Sequence, residues 1–256
     1  MAGEKNTFNK DVTVIIPIVK LDEDTDKAFR KALKSASEAA RIIVVCPTGC
    51  VPENLPKKGV KVIENSGETD EASQINLAVQ EVKTKWFSVL EMDDEYRPGW
   101  FEKAGKYIAD MVDEPSLVLP IMELAPYGKE SAETTGYANE SVWASSFSEE
   151  IGYLDMESTL EYAGYMLSGG IFRKDAFLDS GALKPSIKVA YWYEFLLRLL
   201  NQGKKVFVVP KVGYYHYYGR KGSLDDLFAS MGDEPAWWID AARKEYFYRR
   251  ERKIEK

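Results

Sequence analysis

Strands and helices alternate through the first 112 residues, and this alternation leaves few folds open to the chain. A β-branched apolar run at 12–19, with Pro17 closing its regular part, predicts a buried first strand. Shorter apolar runs predict strands at 42–45, 60–63 and 86–90, and helical spacing predicts helices at 24–40, 69–84 and 98–111. This order favours parallel strands joined by right-handed crossovers. We therefore expect an α/β protein built on a doubly wound sheet.

A cluster of acidic residues follows the fourth predicted strand: Glu91, Asp93, Asp94 and Glu95. Carboxylates this close together repel one another unless a positive group lies among them. Divalent cations such as Mg²⁺ take one or two carboxylates together with substrate phosphates. The carboxyl ends of strands are also where open α/β sheets bind ligands. The cluster predicts a cation and phosphate site, and a solvated acidic turn accounts equally well for these residues alone.

The second half of the sequence is less regular. Residues 126–160 are polar with weak periodicity, which is typical of a functional or mobile insertion. Further strands are predicted at 116–124, near 171 and at 206–210, and further helices at 174–178, 191–200 and from 233 onward. An aromatic segment at 212–218 contains His216, the single histidine of the chain, and a basic loop follows at 219–222.

Composition narrows the classes of function. A net charge of −7 argues against nucleic acid as the main partner. Cys46 and Cys50, in a chain with one histidine, do not form a zinc motif, and a reduced pair is the simplest interpretation. The N-terminal residues lack the apolar core of a signal peptide, and no apolar run is long enough to cross a bilayer. We therefore expect a cytoplasmic protein without a membrane span.

Several short motifs follow one another along the sequence, and their order is more informative than any one motif alone. They are the strand ending at Pro17, Gln-Ile-Asn-Leu-Ala at 74–78, Leu-Glu-Met-Asp-Asp at 90–94, Ser-Gly-Gly-Ile-Phe-Arg-Lys at 168–174, Tyr-Glu-Phe-Leu-Leu-Arg-Leu at 193–199, the strand at 204–210, and His216 with Arg220 and Ser223. Together they resemble the family 2 glycosyltransferases of the GT-A fold over roughly residues 12–223. The resemblance implies a GT-A-like domain at 1–223, with a mixed sheet, and a C-terminal helical extension at 224–256.

The resemblance also implies roles for individual residues. The residues expected to contact the nucleotide-sugar are Pro17, Asn76, Glu91, Asp93, Arg220 and Ser223. The residues expected to hold Mn²⁺ or Mg²⁺ are Asp93, Asp94 and His216. The expected reaction is an inverting transfer of a sugar from a UDP- or GDP-linked donor to a hydroxyl group of a carbohydrate or protein acceptor.

The sequence departs from the family where the catalytic base is expected. The carboxylate pair that precedes the amphipathic helix in the family is replaced by Tyr191 and Trp192. Tyrosine titrates near ~10, so neither side chain is a base at neutral pH. The remaining candidates for the base are Glu194, which survives in the motif, and Asp155 or Glu157 in the insertion.

A second departure follows the second strand. The family often has carboxylates there that help to hold the nucleobase, whereas this chain has Cys-Pro-Thr-Gly at 46–49. These two departures keep a second hypothesis open. In it the chain is a catalytically degenerate GT-A-like domain, a structural or carbohydrate-binding component of a larger assembly such as a viral one, with a partner bound through the C-terminal helix.

Overall fold

The computed structural model describes residues 8–20, 23–128, 134–144 and 150–254, with side chains as far as Phe247. Within these ranges, nine strands form one mixed sheet. They are β1 (Val12–Pro17), β2 (Arg41–Pro47), β3 (Val60–Asn65), β4 (Trp86–Val89), β5 (Glu95–Tyr96), β6 (Leu117–Pro126), β7 (Gly136–Ala138), β8 (Ile171–Arg173) and β9 (Val206–Tyr218). The helices are α1 (Glu23–Ser35), α2 (Glu71–Glu81), α3 (Trp100–Asp110), α4 (Met156–Glu161), α5 (Lys174–Asp179), α6 (Tyr191–Asn201), α7 (Leu224–Ser230) and α8 (Glu234–Ile254).

The strand order is β3-β2-β1-β4-β8-β6-β9-β5, and β7 pairs with β6. The four strands β1 to β4 run parallel, as the strand–helix alternation predicts. β8 then pairs antiparallel to both β4 and β6, while β9 runs parallel to β6 and antiparallel to β5. The predicted fold class, an α/β protein with a mixed sheet, is confirmed.

Helices cover both faces of the sheet, which explains why the strands read as continuous apolar runs. In β1 the side chain of Ile15 faces one core, to which α2 and α6 contribute. Its neighbours Val14 and Ile16 face the opposite core, to which α1 and α3 contribute. At about 25 cal/mol per Å² of buried apolar surface, these two cores supply the main favourable term in folding.

Three elements differ most from their predicted bounds. The first helix ends at Ser35, where a 3-10 turn (Ala36–Glu38) begins, and Ser35 Oγ donates to Ala32 O at 2.8 Å, a local bond that competes with helix propagation. The last strand is not confined to 206–210 but continues to Tyr218. Pro210, which has no N–H to donate, lies where the register between β6 and β9 shifts.

The third difference is at the C-terminus, where two helices replace the single predicted one. α8 packs on α4 and α6 through Ala242 and Tyr246, which lie with Leu160, Tyr193 and Leu197 in a small apolar cluster. α7 is placed over the sheet edge by Asp225, which bonds to a residue of β9. The predicted extension is therefore in contact with the α/β body. None of the helices in the described ranges combines the length and apolar character that a bilayer span needs.

Strand order also shows where a ligand site is expected. The connection after β1 leads to β2 on one side, whereas β4 pairs with β1 on the other side. Such a reversal opens a crevice at the carboxyl ends of the two central strands. The residues that follow Pro17 and Val89 therefore border this crevice.

Candidate active site

A cavity of about 280 Å³ lies at the carboxyl ends of β1 and β4, near the lower end of the range for ligand pockets. The start of α2 forms one side of it, and the loop after β9 with the first turns of α7 forms another. Five of the six residues predicted to contact the nucleotide-sugar line this cavity: Pro17, Glu91, Asp93, Arg220 and Ser223. The fold thus brings together positions from both ends of the sequence.

Glu91 is fixed through its main chain and its side chain. Its N–H donates to the hydroxyl of Tyr214 at 3.1 Å, and the Ser168 hydroxyl bonds to its carboxylate. The buried ring of Tyr214 needs Gly169 beside it, because a Cβ at position 169 would lie 2.2 Å from the ring. Gly169 also has a φ of +71°, a conformation that glycine adopts without strain. The Ser-Gly-Gly turn before β8 therefore positions the first carboxylate of the cluster.

Asp93 is paired with Arg220. The Nε of Arg220 donates to Asp93 Oδ2 at 2.7 Å, and both side chains are largely buried. Arg220 follows the last strand, so the loop after β9 closes over the exit of β4 through this bond. A charge-assisted hydrogen bond of this kind is about twice as strong as a neutral one.

Asp94 lies deeper and is held by β9. Its Oδ1 accepts the N–H of Tyr217 at 2.8 Å, and its Oδ2 lies 3.0 Å from His216 Nδ1. The other ring nitrogen, Nε2, lies 2.9 Å from Asp225 Oδ2 on α7. A histidine between two carboxylates donates from both nitrogens when it is protonated. Burial alone would lower the pKa of His216, but Asp94 and Asp225 outweigh burial and raise that pKa to about 12.

Burial and mutual repulsion also act on the carboxyl groups. Burial raises the pKa of Glu91 well above its usual range, and the neighbouring Asp94 and Glu71 raise it further. Burial likewise raises the pKa of Asp94, although the adjacent His216 opposes this effect. The cluster therefore holds acidic groups in a setting that favours any added positive charge.

Glu71, which is not among the residues predicted from the sequence, belongs to the same site. It is the first residue of α2, lines the cavity and is 4% exposed. The hydroxyl of Tyr191 donates to its Oε2, while its Oε1 has no hydrogen-bond partner among the described residues. Burial raises the pKa of Glu71 to about 7, and the charges of Asp93 and Asp94 add to this. One signal for Glu71 in the sequence is its position after the carboxyl end of β3, because open α/β sheets bind ligands at the carboxyl ends of their strands.

Asn76 is placed differently from the other residues expected at the nucleotide. Its side chain donates to Leu183 O at 2.9 Å and accepts the Leu183 N–H at 3.0 Å. Both bonds tie α2 to the segment before α6. The side chain of Asn76 is thus engaged with the protein backbone, and it does not line the cavity.

The structure does not bring the three candidate bases to the cavity. Glu194 is fully buried on α6 and bonds to Lys184, Arg198 and Tyr246. Asp155 caps α4, accepting the Ser158 N–H at 2.8 Å, and Glu157 lies exposed in the first turn of that helix. Trp192, at the family position of the base, stacks on Phe172 with ring centroids 5.5 Å apart.

The residues present are suited to a divalent cation. One ligand atom each from Glu91, Asp94 and His216 lie within 4.8 Å of one another. Carboxylate oxygens are the ligands that Mg²⁺ and Mn²⁺ prefer. His216 would have to lose a proton and give up one of its carboxylate partners before it could coordinate a metal. Glu91 and Asp93 line the cavity directly, so they are the carboxylates that an entering cation meets.

The sequence matches no family model and no curated protein. Solved structures of S. aureus TarS 1–349 share its fold: the complex with UDP gives a TM-score of 0.62 at 15% identity, covering 91% of this chain and 65% of that one. The complex with UDP-GlcNAc gives a TM-score of 0.60 at 14% identity, covering 82% and 59% respectively. A third structure of TarS 1–349 gives a TM-score of 0.61 at 15% identity, covering 81% of this chain and 60% of the TarS chain. The chain thus spans less than two thirds of TarS 1–349, and it has a GT-A-like glycosyltransferase fold.

Proposed function

We propose that this protein transfers a sugar from a nucleotide-sugar to an acceptor hydroxyl with the help of a divalent cation. The observation that carries the proposal is the convergence of Glu91, Asp93 and Arg220 on one cavity at the switch point of a GT-A-like sheet. Binding of UDP and UDP-GlcNAc by TarS, at a similar fold, supports a UDP-linked donor. A GDP-linked donor is the alternative, since the usual nucleobase carboxylates are missing after β2.

Each polar group of the cavity has a part in this reaction. Arg220 would exchange its bond to Asp93 for the diphosphate, because a guanidinium suits phosphate oxygens. Asp93 and Glu91 would then hold the cation, Mn²⁺ or Mg²⁺, and Asp94 with His216 would support them from behind. A bound cation supplies Lewis-acid stabilisation of the charge that develops on the leaving diphosphate. We propose a single displacement by a carbohydrate or protein hydroxyl, which inverts the anomeric centre.

Thermal unfolding with and without ligand tests this proposal. A ligand at about 100 times its Kd stabilises the folded state by about 2.7 kcal/mol, which corresponds to a Tm increase of roughly 5–10 °C for a chain of this size. We expect UDP with Mn²⁺ to produce such an increase in the wild type. Asp93→Asn should abolish it. Asp113→Asn is the matched control, because Asp113 is an exposed aspartate paired with Lys205.

Two outcomes would count against the proposal in different ways. A full increase in Asp93→Asn would refute the assignment of the cation to Asp93. No increase in the wild type with UDP, GDP or their sugar conjugates, and no release of nucleotide from those conjugates, would refute the transferase itself.

The alternative is a non-catalytic domain in a larger assembly. It is favoured by Trp192, which fills the family position of the base with a packed aromatic ring. A partner would then bind through α8, on which Trp237 is 61% exposed and Phe247 is 51% exposed. In that case Trp237→Ala would weaken assembly, while nucleotide would have no effect on Tm.

A further inference from the structure

Glu71 is a carboxyl group of the cavity wall whose second oxygen is free of hydrogen bonds within the described residues. Its place is fixed by the start of α2. Asp70 caps the helix by accepting the Ser73 N–H at 2.9 Å. Gln74 Nε2 donates to Ile18 O at 3.1 Å, which ties the first turn to the chain leaving β1. These bonds hold Glu71 beside the ligand crevice.

The other carboxyl groups of the cavity wall are Glu91 and Asp93, which the proposed function assigns to the cation, and Asp226, and each of them also has a donor. The donors are Ser168 for Glu91, Arg220 for Asp93 and the Gly222 N–H for Asp226. The carboxyl groups that the sequence suggested as a base lie in α6 and α4, away from the cavity. A transfer reaction nevertheless needs a group that accepts the proton of the attacking hydroxyl.

We propose that Glu71 is this general base and that the buried hydroxyl of Tyr191 holds its carboxylate in position. The inference rests on the proposed function and names a catalytic residue for it. In the step, an oxygen of the acceptor forms a bond to the anomeric carbon of the donor sugar. The bond from that carbon to the diphosphate breaks, and its electron pair leaves with the nucleoside diphosphate. The proton of the acceptor hydroxyl passes to Glu71.

The surroundings of Glu71 are compatible with this role. Asp70, the N-cap of its own helix, and Glu91, Asp93 and Asp94 beyond β4 face it with negative charge. Positive charge entering among these groups favours the ionised form, which is the form a base requires. Burial raises the pKa of Tyr191 well above its usual range, so this hydroxyl keeps the proton that it donates to Glu71.

The test compares Glu71→Gln with Glu81→Gln. Glu81 ends the same helix, has a side chain that is 42% exposed and pairs with Lys61, so its variant controls for the loss of one glutamate from α2. The probes are UDP- and GDP-linked hexoses and N-acetylhexosamines with Mn²⁺, and water serves as the acceptor. Release of nucleoside diphosphate reports turnover, and titration calorimetry with UDP and Mn²⁺ reports binding.

We expect Glu71→Gln to lower turnover by about 10²–10⁴-fold while the Kd for UDP stays within about threefold of the wild type. Glu71→Asp should recover part of the loss. Tyr191→Phe should move the acidic limb of the pH profile of turnover to higher pH, because it removes a hydrogen bond that favours the carboxylate. A change that merely disturbed packing would not move this limb.

The possible failures are distinguishable. Turnover of Glu71→Gln within about threefold of Glu81→Gln would overturn the assignment of the base and leave the transferase standing. An equal loss of UDP binding and turnover would make Glu71 a binding residue and also overturn the assignment. If the wild type binds UDP but turns over none of the donors, the assignment of Glu71 as the base is overturned as well. If it neither binds UDP nor turns over any donor, the proposed function is refuted.

Discussion

Replacing Glu71 with glutamine should change how the stability of the protein depends on pH. Burial raises the pKa of Glu71 from its ordinary 4.5 to about 7 in the folded protein. The folded state therefore binds a proton that the unfolded state has already released at intermediate pH. Stability from this group is fully present below pH 4.5 and is lost as the pH rises through about 7. Glutamine cannot ionise, so the variant lacks this loss.

The size of the effect follows from the same pKa difference. At about 1.4 kcal/mol per pH unit, Glu71 accounts for roughly 2–3 kcal/mol of lost stability between about pH 5 and about pH 8.5. Glu71→Gln should therefore gain that amount relative to the wild type over this interval. Comparing the two pH values cancels any fixed cost of placing an amide nitrogen at the unbonded oxygen position.

Urea unfolding in EDTA measures this difference, since chelation keeps stray cations away from the cluster. Glu81→Gln, at the exposed end of the helix, should follow the wild type within about 0.5 kcal/mol at both pH values. A stability difference between Glu71→Gln and wild type that does not change with pH would refute this reasoning. It would mean that Glu71 is ionised in the folded protein even without metal.

Three further variants probe the cavity and the residues around it. Arg220→Ala should raise the Kd for UDP with Mn²⁺ about tenfold or more in calorimetry, and it should cost about 3 kcal/mol of stability because it leaves Asp93 unpaired. Lys221→Ala, at the exposed neighbouring residue, should change both quantities little. His216→Gln should cost more stability near pH 5.5 than near pH 9 in urea unfolding. The pKa of His216 is raised from 6.5 to about 12, so its contribution to stability is full below pH 6.5 and falls as the pH rises towards 12. Asn76→Ala should lower the melting temperature, at a cost of roughly 2 kcal/mol, without changing the Kd for UDP, since its side chain bonds the backbone.

The sequence predicted most of the scaffold because strands and helices of the first half are local patterns. The run that gives β1 is apolar on both faces since helices cover both, and this is visible as an unbroken β-branched stretch. The strand β9 was predicted too short, because Pro210 reads as a strand end when the register shift opposite β6 is not known. The same limit applies to α7 and α8, because α7 is placed by a bond to β9 and α8 by packing on α4 and α6.

The site was predictable to the extent that its residues follow strand ends. Glu91 and Asp93 could be chosen because charged side chains just beyond the strands of an open α/β sheet are typical of ligand sites. Arg220 could be chosen only through the resemblance of its motif to the family, since the last strand was predicted to end at 210. Glu71 had only its position after β3 to mark it, and that signal is weak because an acidic residue in the first turn of a helix is expected from the macrodipole alone. Its burial depends on Tyr191, which is 120 positions away in the chain. Side-chain partners at that separation leave no periodic trace in a single sequence.

The bond between Arg220 and Asp93 is expected to couple the binding of the cation to the binding of the nucleotide. In the structure a guanidinium and a protonated imidazole already neutralise the carboxylates of Asp93 and Asp94. A cation arriving alone must compete with these resident charges, and a nucleotide arriving alone brings its phosphates towards the carboxylates. If both arrived together, Arg220 would have phosphate oxygens to move to, and Asp93 would be left free to hold the cation. Because binding couplings are reciprocal, UDP should tighten Mn²⁺ binding by the same factor by which Mn²⁺ tightens UDP binding.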